Sequence, residues 1–128
     1  MSRDAFFPDG LLRPKAPYSP VIVSGRQVYT AGQVAFDPSG VVVPGGIAEQ
    51  TRQVLANLQL CLGAAGCTLS DVVKVNVFLA DLADFDAFNE VYREAFEEPY
   101  PARTTVQAGL PGPLRVEIEA VAELPDGA

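Results

Sequence analysis

IAEQTRQVLANLQLCLGAAGCTLSDVVKVNVFL, residues 47–79, contains the change of period that decides the fold. Ile47, Thr51, Val54, Leu55, Leu58, Cys61, Leu62 and Ala65 recur at helical spacing, and Glu49, Arg52, Gln53 and Gln59 mostly fall off that stripe. Gly66 stands where a helix stop is expected, because glycine accepts the left-handed conformation there. From Val72 to Ala80 the period drops to two. Val73, Val75, Val77 and Leu79 share one face, and Lys74, Asn76 and Phe78 share the other. The stretch predicts a long amphipathic helix with one buried side, followed by a strand.

Upstream, Val21-Ile22-Val23 and Gln27 to Val34 are β-rich and flank Ser24-Gly25-Arg26, which predicts a hairpin. Asp37-Pro38-Ser39-Gly40 is a turn, and Val41-Val42-Val43 reads as a short third strand closed by Pro44-Gly45-Gly46. The first twenty residues hold Pro8, Pro14, Pro17 and Pro20 and read as an extended arm over the domain. Downstream, Asp81 or Asp84 can cap a second helix whose inner stripe is Phe85, Phe88, Tyr92 and Phe96, ended by Pro99 and Pro101. Arg103 to Ala108 and Leu114 to Glu123 are two further strands. The short Gly109 to Pro113 connection predicts that they pair as an antiparallel hairpin. The order is ββ(β)αβαββ, an α+β class, in a single domain over residues 1–128.

Right-handed crossovers put both helices on one side of the sheet. The other side is expected to show Phe78, Val121 and Tyr29 or Val28 beside Arg103, Thr105, Glu117 and Glu119. That mixture is too apolar for an ordinary solvated face. It points to self-association in a closed ring or dimer.

Composition excludes several classes. The 128 residues are 48 % hydrophobic and 20 % charged, which argues against wholesale disorder. Nine Lys+Arg against sixteen Asp+Glu give a net charge of −7, which speaks against a nucleic-acid footprint and against anionic membranes. No run approaches the ~18 apolar residues of a membrane span. No histidine is present, so histidine-ligated zinc, Ser-His-Asp triads and Cys-His dyads are ruled out. Cys61 lies on the apolar stripe and reads as core. Cys67 has no basic neighbour to activate it. Two thiols without a disulfide framework, and no signal-type N-terminus, fit the cytoplasm. No phosphate loop and no metal constellation are found.

Two places could carry chemistry. Arg103 opens a strand and is either an edge ion pair or a guanidinium fork for a carboxylate or phosphate. Glu117 and Glu119 share a strand face and are either solvated polar positions or a source of a carboxylate that orients water or moves a proton. The expected hairpin would bring Glu117 or Glu119 opposite Arg103 or Thr105, the register deciding which.

Several segments together resemble the RidA family of reactive enamine/imine deaminases, also called the YjgF or liver perchloric-acid-soluble protein family. They are Ala16-Pro17-Tyr18-Ser19-Pro20, Thr30-Ala31-Gly32-Gln33, residues 71–79 (DVVKVNVFL), residues 85–92 (FDAFNEVY), residues 101–107 (PARTTVQ), Leu110-Pro111 and residues 116–122 (VEIEAVA). The resemblance spans nearly the whole chain. It implies a chorismate-mutase-like fold and a homotrimer with the sheets inside as a barrel and clefts between subunits. It implies hydrolysis of 2-imino acids, such as 2-iminopropanoate and 2-iminobutanoate, to 2-oxo acids and ammonia without a cofactor. By resemblance, Arg103 binds the substrate carboxylate, Glu117 positions the attacking water, and Tyr18, Gly32 and Asn89 line the cleft. Ala31 stands where the family often has serine and Thr105 where it often has cysteine, and the 109–113 connection is slightly short. These departures bear on substrate range.

Three functions compete: an imine deaminase, a non-catalytic trimer that binds small carboxylates as a regulator, and an endoribonuclease. The acidic chain weighs against the third, since no basic groove is available for phosphates. The first two share Arg103 and part at Glu117, which a pure binder does not need.

Overall fold

The computed structural model describes residues 2–126. Six strands and two helices follow in the order β1 (Asp4–Phe6), β2 (Val21–Ser24), β3 (Gln27–Thr30), α1 (Ile47–Ala64), β4 (Val72–Leu79), α2 (Phe85–Ala95), β5 (Ala102–Gln107) and β6 (Val116–Glu123). They form one sheet in the order β1-β2-β3-β6-β4-β5. Both helices cover the same side, and Val54, Leu58 and Leu62 of α1 share a core with Phe88 and Tyr92 of α2 and with Val75, Val77, Val116 and Ile118 of the sheet.

α1 ends as expected. Gly66 has φ +86°, and the Cys67 N–H reaches the Leu62 carbonyl at 2.9 Å, closing the last turn. At its start the Glu49 carboxylate accepts from the Gly46 N–H at 2.7 Å. The buried side also holds three polar residues, Gln50, Thr51 and Asn57, and the Thr51 hydroxyl donates to the Ile47 carbonyl at 2.7 Å. The Gln50 amide donates to the Pro113 carbonyl at 2.9 Å and accepts the Arg115 N–H at 2.8 Å. Asn57 donates to the carbonyls of Val34 and Phe36, each at 3.0 Å. A buried amide that meets its partners locks what it touches. Here it fixes two loops to one helix.

The last two strands do not form a hairpin. β5 lies parallel to β4 at the sheet edge, and β6 runs antiparallel between β3 and β4. The β4–α2–β5 unit is a crossover, which makes its two strands parallel neighbours. β6 buries Val116, Ile118, Ala120 and Ala122, and such a strand gains most with a partner on each edge. Its connection passes over the end of β4. The Ala108 N–H donates to the Leu79 carbonyl and the Ala80 N–H to the Arg115 carbonyl, both at 2.9 Å.

Other expectations are corrected in detail. Val41–Val43 is no strand and contributes a single bridge, Phe36 to Val42. β3 stops at Thr30 because the Thr30 hydroxyl takes the Ala120 N–H at 3.0 Å in place of a backbone carbonyl. Val73 is exposed, because a register shift between Val72 and Lys74 leaves Val72 as the buried residue. Phe85 is also exposed, so the inner stripe of α2 is Phe88, Val91, Tyr92 and Phe96. Part of the proline-rich N-terminal stretch joins the sheet as β1, on the edge of β2. Among the described residues, no helix is long and apolar enough to cross a membrane.

Candidate active site

The pleat of β5 decides where Arg103 goes. It pairs with the fully buried Val75 of β4, so its side chain points to the helix layer rather than to the uncovered face. There α2 presents three rings to it. The guanidinium carbon lies 4.7 Å from the centre of Tyr92, 5.6 Å from Phe88 and 5.7 Å from Phe85. Tyr92 is held in turn by Phe96, stacked at 4.5 Å. Among the described residues no carboxylate lies within 4 Å of Arg103; the ion pairs belong to Arg26, Arg52 and Arg115. Asn89, Tyr92, Tyr100 and Arg103 line a cavity of about 240 Å³. Thr105, two residues on, shares the inner face, and its hydroxyl, like that of Tyr92, is buried without a well-aligned hydrogen-bond partner among the described residues. Burial raises the Tyr92 phenol above its ordinary range, and the neighbouring guanidinium opposes the rise.

Glu117 and Glu119 lie on the uncovered face, opposite Phe78 and Asn76 of β4. The structure separates their roles. Glu119 accepts from the Asn76 amide at 3.1 Å. Glu117 has no hydrogen bond or ion pair among the described residues. Burial pushes its carboxyl up, and the Glu119 charge adds to the rise. Its room comes from a departure of the backbone. The chain leaves β3 after Thr30 and returns to β6 at Gln33, which exchanges hydrogen bonds with Ile118 at 2.8 and 3.0 Å. Between them Ala31 and Gly32 bend away, with the Ala31 N–H on the Pro20 carbonyl at 2.8 Å. A Cβ on Gly32 would overlap the Glu117 carboxylate and stand 2.8 Å from its Cδ. Gly32 also lines a cavity of about 110 Å³ with Tyr18 and Gln33.

The candidate residues therefore fall into two groups. Arg103, Thr105 and Asn89 belong to the helix side of the β5 edge. Tyr18, Ala31, Gly32 and Glu117 belong to the region around β3 and β6. With β4 between them, β5 and β6 are roughly 9–10 Å apart, from the usual strand spacing of ~4.8 Å. The expected pairing of a glutamate with Arg103 or Thr105 across a hairpin is thus corrected, and so is the placing of Arg103 and Thr105 on the uncovered face. Phe78, Glu117, Glu119, Tyr29 and Val121 do share that face, whereas Val28 is buried. From the sequence Tyr92 reads as core alone and Tyr100 goes unmarked. The spacing of Asn89 and Tyr92, three apart on one helix, was the available signal. Both cysteines are buried, with the Cys61 thiol pushed up to about 12, so neither is a nucleophile at neutral pH.

A family profile described as "Endoribonuclease L-PSP" matches residues 10–124. The chain belongs to the RidA/YjgF family. Within the family it is 48 % identical over 108 residues to the 2-iminobutanoate/2-iminopropanoate deaminase of Capra hircus, covering 83 % of this chain and 79 % of that one. It is 45 % identical over 122 residues to a RutC family protein of Pyrococcus horikoshii, covering 94 % and 97 %. Its fold matches the crystal structure of E. coli TdcF with bound serine at a TM-score of 0.88 and 33 % identity, over 95 % of this chain and 99 % of that one. The arrangement is the family's chorismate-mutase-like fold.

Proposed function

We propose that this protein hydrolyses 2-imino acids such as 2-iminopropanoate and 2-iminobutanoate to 2-oxo acids and ammonia, in clefts completed between the subunits of a homotrimer. The observation that carries the proposal is a pair of half-buried charges, Arg103 and Glu117, that have no ion-pair partner among the described residues and that one chain keeps on opposite sides of its sheet. A cation without a counter-ion, lodged among rings, suits a substrate carboxylate. A carboxylate with a raised pKa suits proton transfer near neutral pH. Each needs the other group from a neighbouring copy, and the mixed apolar and polar face around Phe78, Tyr29 and Val121 is a surface that a closed ring would cover. The names of the relatives support the same chemistry.

In this mechanism Arg103 holds the carboxylate in two parallel hydrogen bonds, with Asn89 and Thr105 beside it. Glu117, over Gly32 and near Tyr18 and Ala31, orients a water and accepts its proton as the oxygen bonds to the imine carbon. The proton then passes to the nitrogen of the tetrahedral adduct. The adduct's hydroxyl then gives up its remaining proton, which Glu117 relays to the nitrogen as the carbon–nitrogen bond breaks, so that ammonia leaves and the 2-oxo acid forms. The imine carbon is already electrophilic, so placement and proton transfer are the tasks left to the protein.

Bound serine in TdcF also fits a regulatory carboxylate binder. The raised carboxyl of Glu117 favours hydrolysis, because binding alone gives it no work. The net charge of −7 disfavours RNA as a substrate and anionic membrane as a partner, and the buried thiols fit a reducing compartment such as the cytoplasm.

The test is ammonia release from freshly generated 2-iminobutanoate by Arg103→Ala, by Glu117→Gln and by the two mixed after subunit exchange. Each variant alone is expected to be nearly inactive. An equal random mixture regains about a quarter of wild-type activity, because one interface in four pairs an intact arginine with an intact glutamate. No recovery after proven exchange, or a monomer by light scattering, sinks the shared cleft.

A further inference from the structure

We propose that Tyr92 is a positioning residue for Arg103: its ring carries the guanidinium, and its buried hydroxyl accepts the N–H groups that a bound carboxylate leaves unused. The inference rests on the reading of Arg103 as the carboxylate site and adds a residue to it.

A guanidinium has five N–H donors, and a carboxylate held side-on takes two. The remaining donors are turned towards protein that offers no carboxylate within 4 Å among the described residues. The side chain is long and, without support, would sample many rotamers. What surrounds it is aromatic, and Tyr92 is the nearest ring, at 4.7 Å. That ring cannot easily turn away. It is stacked on Phe96 at 4.5 Å and 28°, meets Phe88 at 5.6 Å and 41°, and is itself only 5 % exposed.

The hydroxyl is the informative atom. A phenylalanine would fill the same core space without burying an oxygen, and buried hydroxyls are nearly always paired. The Tyr92 hydroxyl is buried and has no well-aligned partner among the described residues, yet it lies close enough to the Arg103 guanidinium for that group to oppose the rise that burial causes in its pKa. It accompanies Arg103, which lies half-buried among rings with no carboxylate acceptor among the described residues. Closing a carboxylate onto the outer edge of the fork orients the inner edge towards that oxygen. Buried donor and buried acceptor are then aligned in one step, so the bound state tightens a contact that the free state makes only loosely. Asn89, one turn earlier on the same helix, lines the cavity with both.

The experiment uses the assembled full-length protein and 2-oxobutanoate, a product acid, as the probe. Calorimetry measures its binding to the wild type, Tyr92→Phe, Arg103→Lys and the double variant. Tyr92→Phe should weaken binding about tenfold, the scale for one hydrogen bond to a charged group. It should raise KM for 2-iminobutanoate by a similar factor while kcat stays within about twofold, because the contact is the same before and during reaction. Thermal melting of Tyr92→Phe should be unchanged or higher, which separates positioning from folding. In the Arg103→Lys background the same change should have little effect, since a lysine has no second edge to hold. Wild-type affinity in Tyr92→Phe, or an equal loss in both backgrounds, overturns the role of Tyr92 and leaves Arg103 as the carboxylate site. Failure of the wild type to bind 2-oxobutanoate at all overturns the Arg103 reading and this inference with it.

Discussion

The surroundings of Arg103 and those of Glu117 are built on opposite plans. Arg103 sits at a sheet edge over a rigid aromatic floor, and the helix packed below the strand determines its setting. Glu117 sits on a central strand, and what surrounds it is a gap: a bend after β3 and a glycine whose missing side chain the carboxylate fills. One charge is held by what is present, the other by what has been left out. The cation depends on packing against rings and tolerates change in its surroundings only by repacking. The anion depends on backbone shape, and one carbon added at Gly32 must push its carboxylate aside.

The largest expected effect breaks the anionic half. Glu117→Gln should lower kcat by about 10²–10⁴-fold, the usual range for lost acid–base catalysis, and leave 2-oxo-acid affinity nearly unchanged. Glu119→Gln is its control and should stay near wild type, since Glu119 is engaged with Asn76; the reverse pattern in an ammonia assay would exchange the two roles. Breaking the cationic half, Arg103→Ala should reduce kcat/KM by roughly 30- to 5000-fold and weaken product binding, with partial recovery in Arg103→Lys. Gly32→Ala sharpens the contrast. Its new Cβ displaces the Glu117 carboxylate, and a shift of about 1 Å in a positioned group costs on the order of 10²-fold. Product affinity at Arg103 should not move, and an active Gly32→Ala enzyme would show that the carboxylate has another resting place.

The smallest effect is on stability. The Glu117 pKa is raised on folding, so its ionised form opposes the fold. That opposition is absent below the ordinary value of 4.5, grows as pH rises towards the higher folded value, and is constant beyond it. Glu117→Gln should therefore melt higher than wild type at pH 7, with the gain vanishing in acid. A gain that persists below the ordinary value would assign it to packing instead.

Much of this was legible in the chain. The helical stripe from Ile47, the glycine stop at Gly66 and the alternation through β4 come from local spacing, and local spacing survives folding. The uncovered face could be deduced because two crossovers leave only one side for helices. Partner choice was not legible. Arg103 to Gln107 and Val116 to Glu123 are separated by a short proline-rich link, and adjacency in sequence favours a hairpin. The deciding facts are distant: the amide of Gln50, some sixty residues earlier, grips that link, and β3 offers β6 its free edge. The error moved Arg103 to the wrong face and made one site of two halves. Tyr92 was visible as an apolar position, but its orphaned hydroxyl is a property of packing alone.

The position of β6 also sets the order in which the molecule can be completed. Among the described residues the sheet consists of one block, β1-β2-β3, and another, β4-β5, with β6 as the strand that joins them. During synthesis the earlier elements can gather helix against strand, but they cannot close until residues 116–123 leave the ribosome. Pairings between such distant segments form late and slowly. The same strand carries Glu117, so a chain that has not seated residues 116–123 lacks both a continuous sheet and the proposed acid–base group. Structural completion and the proposed catalytic carboxylate arrive with the same eight residues.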